Sequence, residues 1–197
     1  MAALPMFPLG TVLFPHMPLS LRIFEERYVV MLSRVLQEDV SEFGVVLIER
    51  GQEVGGGEHR FGVGTVARIV QLEASEGFIG LVAEGERRIR VDEWLDDAPH
   101  PQAEVVELDP LVWDDDLLVD LVSAEDTVRS TLARLDDDAR WPADVELTDE
   151  PVARAWQLAG IAPLGPLDQV ALLQADSMAE LLEGIVTRTE AAGELLG

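Results

Sequence analysis

The run Met6-Phe7-Pro8-Leu9-Gly10-Thr11-Val12-Leu13-Phe14-Pro15-His16-Met17-Pro18-Leu19 decides how the rest of the chain reads. Over Leu4–Leu21, proline stands at positions 5, 8, 15 and 18. Each proline fixes φ and lacks the N–H that a ladder uses, which predicts an extended segment with short edge strands at most. So much apolar side chain on a segment denied regular pairing needs a reason. Two readings stay open: a loop folded over the mouth of a barrel, or an adaptable hydrophobic surface where Met and aromatic side chains fit varied shapes.

Downstream of that run, the first 110 residues read as mostly β. Phe43–Arg50 (FGVVLIER), Gly64–Glu73 (GTVARIVQLE), Phe78–Ala83 (FIGLVA) and Arg87–Leu95 (RRIRVDEWL) are rich in Val, Ile and Phe, and Gly or acidic turn residues bound them. Gln102–Leu108 adds an alternating strand, and Ser75-Glu76-Gly77 reads as a hairpin turn. One helix interrupts the set: Phe24, Tyr28, Met31, Leu32, Val35 and Leu36 recur at helical spacing.

From about Asp114 the period changes to that of a helix. Leu117, Leu118, Leu121, Val122, Val128, Leu132 and Leu135 make one long stripe, with Asp114, Asp115 and Asp116 as cap and first-turn carboxylates. A second helix is expected over about 150–159 behind a Thr148 cap, and a third from Pro166 at its first turn. The last opens on Ser177-Met178-Ala179-Glu180, a capping box. The expected fold class is therefore α+β: a β-rich domain over 1–110, then an α-helical domain over 111–197.

Composition excludes several chemistries. The 197 residues contain no Cys, so thiolate catalysis, disulfides and Cys-based zinc or iron–sulfur sites are ruled out. All 14 basic residues are Arg; the missing Lys removes P-loop, Ser–Lys and Schiff-base chemistry. Asn is missing too, and a GC-rich coding background accounts for both gaps. The net charge of −24 repels polyphosphate backbones and anionic membranes, so neither nucleic acid nor membrane is an expected partner. No long apolar run or charged leader precedes the fold, which points to the cytoplasm.

The remaining motifs read as structure. Gly62-Val63-Gly64-Thr65-Val66-Ala67 fits a dinucleotide fingerprint in letters, but β sequence rather than a helix follows it, so a strand entry is expected. Gly55-Gly56-Gly57 reads as a loop tip and Asp136-Asp137-Asp138 as a solvated acidic turn. His16, His59 and His100 have no metal-ligand spacing and read as surface or loop residues, so no metal and no cofactor are expected. No GxSxG elbow is present, and nothing in the sequence marks an enzyme.

In its opening run the chain resembles the N-terminal domain of the Lon protease family. The motifs are Phe7-Pro8-Leu9, Thr11-Val12-Leu13-Phe14-Pro15, Met17-Pro18-Leu19 and Arg22-Ile23-Phe24-Glu25 with Arg27-Tyr28. Phe43–Ile48, Gly64–Ile69, Gly85-Glu86-Arg87-Arg88 and Ala103-Glu104-Val105 continue in register, and Asp168–Ala175 resembles the family's helical extension. The resemblance implies a PUA-like β pseudo-barrel followed by helices, in a stand-alone substrate-binding protein without ATPase or protease domains. It implies no enzymatic activity, and as partners unfolded or apolar polypeptide segments, with a protease or chaperone receiving them. The candidate contact residues are Phe14, Pro15, Met17 and Leu19, with Phe24 and Tyr28 from the adjoining helix. Two other classes compete: an assembly protein docking a dedicated subunit, and a hydrolase or small-ligand binder using the barrel mouth.

Overall fold

The computed structural model describes residues 3–48, 60–135 and 139–194. Gly55–Gly57, His59 and Asp136–Asp138, singled out above, lie outside the described residues. The chain divides into two compact units, Met1–Asp109 and Pro110–Gly197.

The first unit holds β1 (Leu4–Leu9), β2 (Pro18–Ile23), α1 (Glu26–Val35), β3 (Glu42–Ile48), β4 (Arg60–Ser75), β5 (Phe78–Leu95) and β6 (Gln102–Glu107). They form one mixed six-stranded sheet in the order β2-β5-β4-β3-β1-β6, and an additional β5–β6 pairing closes five of the strands into a barrel. Only β1 and β3 run parallel; the other pairings are antiparallel. Met6, Val46, Val66, Ile89 and Ala103 fill a buried cluster, with Leu4, Val91, Trp94 and Val105 packed against it. Phe7 turns to α1, stacking on Tyr28 with ring centroids 3.9 Å apart. Met6, Phe7 and Pro8, like Phe43–Leu47, are consecutively buried, as expected of strands covered on both faces.

Three features differ from the sequence expectation. First, β1 stands between β3 and β6 in the sheet order, although β6 pairs only Leu4 and Pro5 and leaves the Pro8 half paired with β3 alone. The Met6 N–H donates to the Pro101 carbonyl at 2.9 Å, so Pro8, two residues on, lacks its N–H on the side where β6 pairing has already ended at Pro5. Pro5 itself precedes the first β3 partner pair, Met6↔Gly44. Second, the segments expected as separate strands at 78–83 and 87–95 are one 18-residue strand, β5. Its first half is held between β2 and β4, and its second half pairs with β6. Third, α1 begins at Glu26, leaving Phe24 outside the helix.

The hairpin turn is as expected, with Gly77 at φ +86° between β4 and β5. Gly64 of the fingerprint-like motif lies within β4, where a Cβ would collide with the Val45 carbonyl of β3. That close approach, rather than a phosphate, accounts for the glycine. His100, expected as a surface or loop residue, lies in the β5–β6 connection but is buried: its Nδ1 lies 3.1 Å from the Pro101 carbonyl, so Nδ1 is the donor and Nε2 accepts from Arg34 at 3.4 Å.

The second unit begins with a 3₁₀ turn at Asp115–Leu117, capped by the Asp114 carboxylate on the Asp116 N–H. Four helices follow: α2 (Leu118–Leu135), α3 (Pro151–Ile161), α4 (Pro166–Leu173) and α5 (Met178–Glu194). Leu121, Ala124, Val128 and Leu132 are the buried stripe of α2, and Leu181, Leu182 and Ile185 that of α5. The cap of α3 is Glu150, whose carboxylate accepts from the Val152 and Ala153 N–H groups; Thr148 Oγ1 accepts from the Glu150 N–H, and the Thr148 N–H donates to Gln157. The capping box opens α5, with Ser177 Oγ accepting from Glu180 N–H, while the Glu180 carboxylate reaches the Asp176 N–H at 2.9 Å. Among the described residues no helix is long and apolar enough to cross a membrane.

Candidate functional site

The β2 strand alternates Leu19, Leu21 and Ile23 with Pro18, Ser20 and Arg22. In the sheet it pairs on one side only, with β5, from Pro18↔Glu84 to Ile23↔Ile79. The Gly85 N–H donates to the Met17 carbonyl at 2.9 Å, which sets the phase of the ladder. Counting in twos, Leu19, Leu21 and Ile23 direct their backbone groups to β5, and Pro18, Ser20 and Arg22 direct theirs outward. Among the described residues no strand takes up that outer edge. Pro18 fits there because its missing N–H faces away from the ladder.

The outward phase also carries the side chains of one sheet face. Ser20 and Arg22 lie opposite Val82 and Gly80 of β5, and Gln71 and Glu73 of β4 lie beyond them. Together with Phe78 these side chains line a shallow trough of about 410 Å³ floored by Gly80. The Arg22 guanidinium lies over the Phe78 ring, 5.1 Å from its centroid, a cation–π contact that walls one end. Phe24 follows directly on β2 and is 72% exposed, the most open aromatic group described on this unit.

Of the six candidate contact residues, the structure brings Phe24 alone to the surface. Phe14 is 1% exposed, and Pro15, Met17, Leu19 and Tyr28 are also buried. Tyr28 is the stacking partner of Phe7, and Leu19 belongs to the β2 phase facing away from the trough. The segment before β2 is tied down by backbone bonds from His16 N–H to the Gly85 carbonyl and by Thr65 Oγ1 donating to the Leu13 carbonyl at 2.6 Å. An outward-facing apolar surface built from Phe14, Pro15, Met17, Leu19 and Tyr28 is therefore corrected to an interior packing layer. The site that sequence reasoning missed is the β2 edge; its signal was the two-residue alternation of Pro18–Ile23, masked by the prolines around it.

A charge network lies on the same unit. The Arg87 guanidinium takes both oxygens of Glu42, at 3.0 and 2.6 Å, and its Nε donates to Glu107 at 2.6 Å. The Arg87 hydrogen bonds hold the Glu42 carboxyl below the usual carboxylate range against the opposing effect of burial, and they raise the guanidinium in turn. Arg68 makes a parallel pair with Glu86. Every partner here is a protein side chain, which makes the network a strut across strands. Among the described residues no group of three or more His, Asp or Glu could hold a metal ion.

The class these observations define is a mixed α/β protein on a six-stranded sheet whose β2 outer edge is unpaired among the described residues, followed in the chain by helices. The chain belongs to the ATP-dependent protease La (LON) substrate-binding domain family, whose model matches residues 3–188. It is similar to the Lon protease of Escherichia coli K12, 26% identical over 203 residues that cover 98% of this chain and 25% of that protein. Lon protease 2 of Myxococcus xanthus is 34% identical over 105 residues, 52% of this chain and 13% of that one. The chain thus spans about a quarter or less of the length of these curated relatives. Among solved structures, a Lon N-terminal domain protein from Xanthomonas campestris superposes with a TM-score of 0.70 at 27% identity, covering 95% of this chain and 98% of that one. The N-terminal domain of the Mycobacterium avium complex Lon protease shares the fold, with a TM-score of 0.68 at 17% identity over 96% and 98% of the two chains.

Proposed function

We propose that this protein is a non-catalytic binding module for unfolded or apolar polypeptide segments, acting in the cytoplasm as an adaptor in protein quality control. The barrel is read as PUA-like, without the nucleic-acid role that label suggests, because the net charge of −24 opposes phosphate contacts. Membership of the substrate-binding family supports a protein substrate. The observation that carries the reading is the open outer edge of β2 with Phe24 at its end. An extended client adds to that edge as a further strand: the outward groups of Ser20 and Arg22 supply main-chain hydrogen bonds, and Phe24 supplies apolar contact. This mode reads backbone first and side chains second, as a module with varied clients requires.

The test is fluorescence anisotropy against labelled unfolded peptides that vary in hydrophobicity and charge, at two salt concentrations. Binding that follows apolar content and survives salt is expected for the wild type. Ser20→Pro removes one outward N–H in the phase already occupied by Pro18, so it leaves the β5 ladder intact and weakens every peptide. Phe24→Ser weakens the apolar ones most. Unchanged binding in both variants would sink the β2 assignment, and no binding by the wild type would sink the module itself.

A further inference from the structure

The helical unit has a groove of its own. Asp120 and Ser123 near the start of α2 face Ala179–Thr187 near the start of α5, and Gly193 near the end of α5 abuts Thr131 and Arg134 near the end of α2. The two helices therefore pack in parallel. Between the start of α2 and the first half of α5 they leave a groove of about 350 Å³ with Leu182 and Val186 as its apolar floor. Asp120 and Ser123 form one wall, and Glu183 and Thr187 the other. Val119, 76% exposed, precedes Ser123 by one turn on the same side of α2, and Val122 beside it is also exposed.

Charge separates this groove from an ordinary helix seam. The second unit carries 5 Arg against 19 acidic residues, net −14. Among the described residues Arg129 and Arg154 are committed to Glu125, and Arg188 to Asp168. Neither Asp120 nor Glu183 has an ion-pair partner among the described residues. Two carboxylates on opposite walls of an apolar floor complement a ligand that is cationic at its margins and apolar between them. A second copy of this chain, itself at −24, brings like charge to like and fits poorly.

We propose that the α2–α5 groove receives a cationic amphipathic helix of a client polypeptide. Its apolar side chains at i and i+4 settle on Leu182, Val186 and Val119, and its Arg or Lys side chains reach Asp120 and Glu183. A groove between two parallel helices takes a third helix in this way, and opposite charge at the rim fixes its register. The inference rests on the polypeptide-binding reading above and adds a second client class to it.

The experiment titrates the full chain into a labelled synthetic Lys/Leu amphipathic helix, with a scrambled peptide of the same composition and an oligoarginine as charge controls. The amphipathic helix is expected to bind more tightly than either control. Asp120→Asn/Glu183→Gln is expected to weaken it roughly 5- to 30-fold, as the loss of two partly solvated charge contacts would. Asp144→Asn/Glu146→Gln, which removes the same charge from exposed positions elsewhere, is expected to leave it within about twofold. Equal weakening by the two double variants, or equal binding of the scrambled peptide, would overturn the proposal in favour of unspecific attraction to a polyanion. Ser20→Pro and Phe24→Ser are expected to leave the amphipathic helix bound. If extended apolar peptides bind while the cationic helix does not, the groove proposal alone fails; if the helix binds in the groove while extended peptides do not, the β2 reading alone fails.

Discussion

The two units of this chain both pair Arg with acids, but the helical unit also uses its acids in a second way. On the barrel unit Arg and Glu are spent on each other across strands, as in Arg87 with Glu42 and Glu107, or Arg68 with Glu86. In the helical unit several carboxylates instead serve the backbone: Asp114, Glu150 and Glu180 each accept from main-chain N–H groups at or beside a helix start. A strand has only a small net dipole and offers its acids no set of unpaired N–H groups at its start. A helix start offers unpaired N–H groups and a positive dipole end, so acids are stabilised there without Arg. Asp120 and Glu183 serve neither purpose: they have no ion-pair partner among the described residues.

The sharpest way to break this contrast is through the cores, where charge plays no part. Phe14→Ala removes one of the largest fully buried side chains of the barrel unit and is expected to cost about 3–5 kcal/mol in chemical denaturation. A cost under about 1 kcal/mol would show that Phe14 is a surface residue after all. Next comes Glu150→Ala, which strips both cap hydrogen bonds from α3 and should cost about 1–2 kcal/mol, with helical circular dichroism falling first in that unit. If Glu150→Ala costs nothing, acids in the helical unit are only solvating it, and the contrast fails.

Glu42→Gln tests the barrel side and should cost about 1 kcal/mol, discounted for the partly exposed Arg87. Its pH dependence has a definite sign. Because the folded carboxyl titrates below its unfolded value, its contribution is fully present above about pH 4.3 and is lost as pH falls through the depressed folded value. Stability against pH in that acid window should therefore be flatter in Glu42→Gln than in the wild type. Phe24→Ser is the smallest effect on stability, within about 0.5 kcal/mol by thermal melting, since that ring is already in water. A larger loss would move Phe24 into the core and away from binding.

The helical unit was legible in the sequence almost helix by helix, because each helix repeats its apolar residues every three to four positions and carries its own start signals. Pro166 and the Ser177–Glu180 box stand where the structure starts α4 and α5. The barrel was less legible because strand pairing is non-local. Nothing within Met6–Leu9 tells that β6 stops pairing at Pro5, so a proline-bearing strand was expected at an edge and stands between two neighbours in the sheet order. Gly85 within Glu84–Glu86 looked like a break between strands, and only the partners on both sides carry β5 through it. In the apolar run and the helix after it, apolarity alone cannot say whether Phe14 faces water or the core, or whether Tyr28 faces water or Phe7. The prolines point to short edge strands in this stretch and β2 is one; that its outer edge in particular stays open was not legible, because that depends on which partners the rest of the sheet supplies.

Closure of the barrel has a further consequence for the newborn chain. β1 includes Leu4, yet its partner Ala103 lies on the last strand of the unit, far later in the chain. At ordinary rates of synthesis the ribosome needs roughly 5–20 seconds to add the intervening residues. Throughout that interval Met6, Phe7, Phe14 and Met17 have no completed barrel to enter. Until β6 emerges and the sheet meets its own far end, the growing chain therefore displays the kind of apolar segment it is proposed to bind.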